Sequence, residues 1–410
     1  MSTAASPAEA DYDAPFAGLK VVDLSQGLAA PYCGMLVAQH GADVIKVEPP
    51  GGDWSRILNV AYGDHTAFSI AANLGKRSIA LDWKAAAGRE VLWRLLADAD
   101  IVIEGFRPDV MPRLGCGYAD VAARVPDVLY VSVSGFGDHG PLADKPAMDP
   151  VLQAFTGMAL ANGGDDGTPR RVPISLIDMT TGMYAFQSLA AALFARERRR
   201  ARGLAPAGRH IKTSLLEGAA QLQIVRLIAA VLDGPDAPVT TPPSGSYQAA
   251  DGWLQIQVVQ EHLWQALCAA LEIPAVAFDA RFDDRHKRTV NVAALMDLLR
   301  PAFRRLTLAE IDRRFTAAGI LYERMNTYPE FVRHPHVVAT GLVTWLQQAG
   351  LPDPYPVPRF PGLPALEPGT ARARAPARGE QARAILAGHG YSAAEIAALV
   401  ASGVVNVPAS

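Results

Sequence analysis

Cysteine is nearly absent from this chain. Only Cys33, Cys116 and Cys268 occur, far apart and with no C-x-x-C pair. That argues against a disulfide framework and a thiolate zinc site, and it fits a reducing compartment. No apolar run reaches the roughly 20 residues that a membrane-spanning helix needs. Residues Met1 to Pro15 are small, polar and acidic, without the basic and apolar regions of a secretory signal. We therefore expect a cytosolic protein. A charge excess is missing too. The formal net charge is −3, which suggests neither nucleic acid nor an anionic membrane as partner. No G-x-G-x-x-G follows an apolar run, and there is no P-loop, so the common dinucleotide and phosphate loops are absent. No internal repeat is evident.

What is present reads as an α/β enzyme. Half of the 410 residues are hydrophobic and 19% are charged, which is ordinary for a globular chain with mass for two or three domains. Lys20 to Leu24 is a short β-branched run, Ala30 to Gln39 a helical stretch of small residues, and Asp43 to Glu48 a second strand stopped by Pro49-Pro50-Gly51-Gly52. This is a βαβ unit, which implies a parallel sheet with a right-handed crossover. Ser78 to Leu81, a helix over Ala85 to Leu96, Ile101 to Glu104 and Val128 to Val133 continue the pattern.

The character changes near residue 230. Pro235, Pro238, Pro242, Pro243 and Gly245 crowd a loop, and Tyr247 to Val258 reads as a hairpin turned at Asp251-Gly252. Helical segments are expected from His262 to about Phe331, so residues 226–334 form a smaller middle domain. Leu351 to Ala377, rich in Pro, Gly and Arg, reads as an extended surface strap. Short helices follow over Gln381 to Ala387, ended by Gly388, and over Ala393 to Ala401. The Arg-rich stretch Arg196 to Arg209 reads as a solvated helix end and loop.

One carboxylate stands out. Asp178 follows the apolar run Ile174 to Ile177, and a helical pattern runs from Met183 to Arg196. An aspartate there is held ionised by the helix dipole and N–H groups. Taken locally it is a helix cap. In a desolvated pocket the same group is a nucleophile toward an activated carbonyl.

Several stretches, in order and in register, resemble the family III CoA-transferases, the CaiB/BaiF group that includes formyl-CoA transferase. They are Gly18 to Ser25, Gly41 to Pro50, Asn73 to Asp82, Phe106-Arg107-Pro108-Asp109, Ser134-Gly135-Phe136-Gly137, Asp149 to Gly157 and the Asp178 segment. Ala250-Asp251-Gly252, Arg281-Phe282, His334-Pro335 and Gly390 to Ile396 continue the series. The resemblance spans about Phe16 to Val404. It implies a Rossmann-like large domain built from both chain ends, residues 1–225 and 335–410, and two subunits interlocked like links of a chain, with the 351–377 strap in the wrapping.

The resemblance also implies roles. Asp178 falls on the family's catalytic aspartate, which attacks an acyl-CoA thioester and forms an aspartyl anhydride. Backbone N–H groups near the helix start are the expected oxyanion donors. Asp149 falls on an acidic position that orients substrate or shapes the site's charge, or else caps the Val151 to Phe155 helix. Gln153 is the weaker, structural candidate. Ala29, the stretch Leu81, Asp82, Trp83 and Lys84, the stretch Gly105, Phe106 and Arg107, and Arg113 match positions that touch CoA. The expected substrates are an acyl-CoA and an acceptor carboxylic acid, with no metal and no separate cofactor.

Departures narrow the reading. Pro49 and Gly105 replace an arginine and an asparagine of formyl-CoA transferase, and only Pro243-Ser244-Gly245-Ser246 stands near its glycine-rich loop. These changes argue against formate or oxalate as substrate. The rival within the superfamily is an α-methylacyl-CoA racemase or CoA-ester isomerase, which needs a proton-accepting histidine where this chain has Met148. Gly245 stands near where racemases carry a further glutamate, and His139 reads as a surface residue. A CoA-binding protein without catalysis is the third alternative. Arg170, Arg171 and Arg226 are candidates to hold the far carboxylate of a dicarboxylic acid, and an exposed surface role fits them equally.

Overall fold

Strands β1 (Lys20–Asp23), β2 (Asp43–Glu48), β3 (Arg77–Leu81), β4 (Ile101–Glu104), β5 (Leu129–Ser134) and β6 (Arg209–Ser214) run parallel in the computed structural model. The model describes residues 14–163, 167–234 and 241–408. The sheet order is β3-β2-β1-β4-β5-β6, and the short strand Val405–Asn406 adds antiparallel to β3. The order reverses beside β1, which in a doubly wound sheet opens a crevice at the strands' carboxyl ends.

The strands bury both faces, and the alternation shows why. Val21, Ile101, Ile103, Leu129 and Val131 enter one apolar cluster, while Val22, Val102 and Tyr130 enter the other. With period 2 and apolar residues at every position, each face must be covered by helices. Helices α1 (Ala29–Gln39) and, further along the chain, α5 (Leu176–Ala201) cover the first face. Between them come α2 (Ala67–Asn73), α3 (Ala86–Ala97) and α4 (Asp149–Phe155), and α6 (Leu215–Leu222) follows α5. The second face takes α3 together with Ile385, Leu386 and Ile396 of the C-terminal helices Ala382–Gly388 and Ala393–Ala401. Both chain ends therefore build one body, which comprises Met1–Ile224 and Thr340–Ser410.

The α1–α5 contact rests on Gly182. A Cβ there would lie 2.6 Å from the Ala29 carbonyl oxygen, so only glycine lets the two helices approach this closely.

The second body, Val225–Ala339, is built separately. It carries the antiparallel strands β7 (Gly245–Gln248), β8 (Trp253–Gln257) and β9 (Leu321–Arg324), backed by a core that includes Trp264, Leu267, Phe282, Leu299, Phe303 and Phe315. Helix α7 (Ile224–Leu232), which starts at the boundary, buries no residue.

Several expectations need correction. Helix α5 begins at Leu176, not Met183, so Asp178 lies inside its first turn. Strands β6, β9 and Val405–Asn406 were not anticipated; each is short and half polar, and its pairing partner lies far away in sequence. Arg196 is fully buried rather than solvated, and its guanidinium pairs with Asp100 at 3.2 Å. The strap is not merely superficial. Tyr355–Pro358 pairs with Val343–Leu346, and Phe360, Leu363, Leu366, Ala373 and Ala375 are buried against Met35, Ile70 and Leu74. Gly388 is the last residue of its helix rather than its stop, and Gly390 (φ 81°) takes the left-handed turn. The N-terminal stretch through Asp13, and Pro235 and Pro238 of the expected loop, lie outside the described residues.

Candidate active site

Helix α5 has no cap of its own. Its N-cap residue Ser175 makes no side-chain capping bond. The cap comes from α4. Oδ2 of Asp149 accepts the backbone N–H of Ile177 at 2.6 Å and of Asp178 at 3.2 Å, and Oδ1 accepts Gln153 Nε2 at 2.6 Å. Gln153 is held in turn by Val172, whose N–H donates to Oε1 at 2.8 Å and whose carbonyl accepts from Nε2 at 3.2 Å. Asp149 and Gln153 are buried. Asp149 does not cap its own helix; it fixes the turn that carries Asp178.

This arrangement changes the electrostatics of Asp178. The N–H groups of Ile177 and Asp178 already serve Asp149, while those of Leu176 and Met179 serve Ile174 and Ser175 carbonyls. The helix start therefore has no donors left for Asp178 or for an oxyanion, contrary to expectation. Burial first, and then the neighbouring Asp149 charge, push the half-buried Asp178 carboxyl up to about 7. A carboxylate of that basicity is a stronger nucleophile than a solvated one.

Asp178 opens onto a cavity of about 380 Å³. Ala29, Gly105, Phe106 and Arg107 line the same cavity. Ala29 is the first residue of α1, a helix that also has no side-chain cap. Gly105 follows β4, and a Cβ there would fall 3.2 Å from Ala30 Cβ, so an asparagine would force the neighbours apart. Glu104 shapes the loop from beneath: its buried carboxylate accepts the Phe106 N–H at 2.8 Å, and burial pushes its carboxyl up to about 7.

The other expected CoA contacts line two adjoining clefts that meet the cavity at Phe106. Arg113 lies in one with Gly105 and Arg107, and its guanidinium is tied to Asp109 at 3.0 Å. Leu81, Asp82, Trp83 and Lys84 lie in the other, with Pro49 and Pro50. Of these, Leu81 and Trp83 are packed into the core, so the exposed Lys84 is the freer contact. Arg170 and Arg171 do not line the Asp178 cavity, Arg226 belongs to the second body, and His139 is exposed, as expected.

Sequence reasoning missed several residues. Trp54, Gln26, Leu28 and Lys145 all line the cavity, and Lys145 joins Arg107 as a cation facing it. Lys145 lies four residues before Asp149, a signal available in the sequence. Trp54 had none, because its placement depends on a buried network. Asp53 pairs with Lys46 at 2.8 Å, both side chains being fully buried, and accepts the N–H of Gly27 at 3.0 Å and of Ser55 at 2.9 Å. Burial works against ionisation of Asp53, but Lys46 and these donors outweigh it and hold the carboxyl below the usual range.

Comparison with known proteins bears on the family and the fold. A family model described as CoA-transferase family III matches residues 16–382. Over 367 residues the chain is 33% identical to the acetyl-CoA:oxalate CoA-transferase of Acetobacter aceti, covering 85% of this chain and 93% of that one. The crystal structure of Rv3272 from Mycobacterium tuberculosis superposes with a TM-score of 0.78 at 29% identity, over 90% of this chain and 99% of that one. That of a CaiB/BaiF family protein from Brucella suis gives 0.79 at 28% identity, over 92% and 99%.

Proposed function

The chain belongs to CoA-transferase family III, and on that premise we propose that it moves CoA from an acyl-CoA thioester to a carboxylic acid, with Asp178 as covalent nucleophile. One observation carries the reading: a half-buried carboxylate raised to about 7 shares a cavity with Ala29, Gly105, Phe106 and Arg107. The thioester end of CoA lies in this cavity, and its phosphates and nucleotide lie along the clefts of Arg107, Arg113 and Lys84. Guanidinium forks suit phosphate oxygens.

The chemistry follows from the residues. An Asp178 oxygen attacks the thioester carbonyl, and CoA thiolate leaves as the acyl-aspartyl anhydride forms. The thiolate attacks the aspartyl carbonyl, expelling the donor acid and leaving an aspartyl-CoA thioester. The acceptor carboxylate then displaces CoA to give a second anhydride. Thiolate attack on its acyl carbonyl releases the new acyl-CoA and regenerates the Asp178 carboxylate. Each tetrahedral oxyanion needs donors. With the α5 turn committed to Asp149, the first turn of α1, which has no side-chain cap and brings Ala29 and Ala30 to the cavity wall, is the backbone source we assign. Asp149 is a positioning residue in this scheme.

The same reading includes a homodimer. Helix α7 leaves Val225, Val231 and Leu232 largely exposed, an apolar row that a second copy would cover. A stable monomer in sedimentation at micromolar concentration would overturn this part.

The test is one incubation in heavy water with succinyl-CoA, a 2-methylacyl-CoA and a pool of short carboxylic acids. Oxalate belongs in the pool because of the name of the A. aceti relative, although Pro49 and Gly105 argue against it. New CoA esters free of deuterium are expected. Deuterium in the 2-methylacyl-CoA without new esters would replace the transferase with a racemase.

A further inference from the structure

A second cleft, of about 590 Å³, lies beside the catalytic cavity and has no part in the chemistry above. Its position is informative. Met179, which lines it, directly follows Asp178 in the first turn of α5. Tyr32, which also lines it, follows Ala29 within the first turn of α1. The two spaces therefore flank the same helix crossing, the one that Gly182 permits. Its floor is apolar: Ile70 and Leu74 belong to the buried cluster beneath the strap. Its far wall is the strap itself, where Pro352, Pro354, Pro356 and Pro358 recur at every second position. Fixed φ angles make that wall stiff, so little ordering is needed when a ligand enters.

We infer that this cleft takes the acyl chain of the thioester, and that the preferred donors are uncharged, saturated acyl groups of medium length. The inference rests on the transferase reading. The catalytic cavity, about 380 Å³, must hold the thiol end of CoA and the reacting carbonyl among Asp178, Arg107 and Lys145; Leu28, Phe106 and Met148 add apolar wall there, but a tail of several carbons outgrows that space. One residue away is an apolar cleft whose size falls in the range of small-molecule sites, about 300–1,000 Å³. Met179, which follows Asp178 on α5, lines this cleft, and its unbranched side chain has several rotatable bonds.

The test is binding, measured by calorimetry on Asp178→Asn, which cannot form the anhydride. Acetyl-CoA through decanoyl-CoA are titrated in turn. Affinity is expected to rise about fourfold for each methylene that leaves water, and to level off once the cleft is full. Ala71 is exposed on α2 and lines the cleft, so Ala71→Trp fills it without entering the core. In the double variant octanoyl-CoA should lose at least about tenfold of its advantage over acetyl-CoA, some two methylenes' worth. A flat series would overturn the inference, and so would an unchanged series in the double variant. A sedimentation shift from dimer to monomer with Ala71→Trp, at unchanged chain-length preference, would assign the cleft to a second copy. Rising affinities with no transfer by the wild type would sink the catalytic reading and leave the acyl site standing; transfer with flat affinities would do the reverse.

Discussion

Replacing Asp149 by asparagine separates its charge from its shape. Three hydrogen bonds end on this carboxylate, from Ile177, Asp178 and Gln153. Asparagine keeps one acceptor oxygen. If that oxygen faces Ile177 and Asp178, its NH₂ meets the NH₂ of Gln153, and Gln153 cannot turn over without losing both bonds to Val172. The variant should therefore lose about 1.5–3 kcal/mol, the worth of a charge-assisted bond plus an unsatisfied donor. The electrostatic effect has a fixed sign. The Asp178 carboxyl rises from 3.8 to about 7, with burial the larger cause and Asp149 the smaller. Asp149 then accounts for at most half of that climb, roughly 1.6 pH units. The assay is kcat/KM for CoA transfer from about pH 5 to about pH 9. The wild type should gain activity through an acid limb near 7, as Asp178 ionises. Asp149→Asn should move that limb lower, to no less than about 5.5, while plateau activity falls as the α5 turn loosens. An acid limb that stays in place, or moves up, would refute the reasoning that Asp149 charge reaches Asp178.

Asp178→Asn should abolish transfer and yet raise stability at neutral pH. A carboxyl raised in the fold is penalised when ionised, so its contribution is intact at low pH and is lost as pH rises from about 4 to about 7. The gain in the variant is ~4 kcal/mol at most. Thermal melts should show it well above pH 7 and lose it near pH 4, and equal melting at both would refute it. Gly182→Ala places a Cβ 2.6 Å from the Ala29 carbonyl. It should cost about 1–3 kcal/mol, and roughly a hundredfold in kcat as Ala29 and Asp178 separate, measured by urea unfolding and initial rates. Asp53→Asn strands the fully buried Lys46 and should cost about 3–5 kcal/mol. Unchanged urea unfolding would show that the Lys46 charge is satisfied elsewhere.

By itself the sequence determined the βαβ order and the stretches that gather at the strands' carboxyl ends. Apolar alternation and helical spacing are local properties that a short window carries; they made Asp178 a helix cap, and the resemblance in register over many stretches made it the candidate nucleophile. Val21 and Val22 declare two buried faces wherever they occur. Tertiary structure decided the rest. Asp149 caps a helix 28 residues away, so the turn's donors, and with them the charge of Asp178, depend on a partner that local pattern assigns to α4. Trp54 faces the cavity because a buried Lys46–Asp53 pair holds its turn. The second cleft joins Tyr32, Ala71, Met179 and Tyr355, which are distant in the chain. Charge and burial follow the distance between groups in space, and spacing along the chain does not encode it.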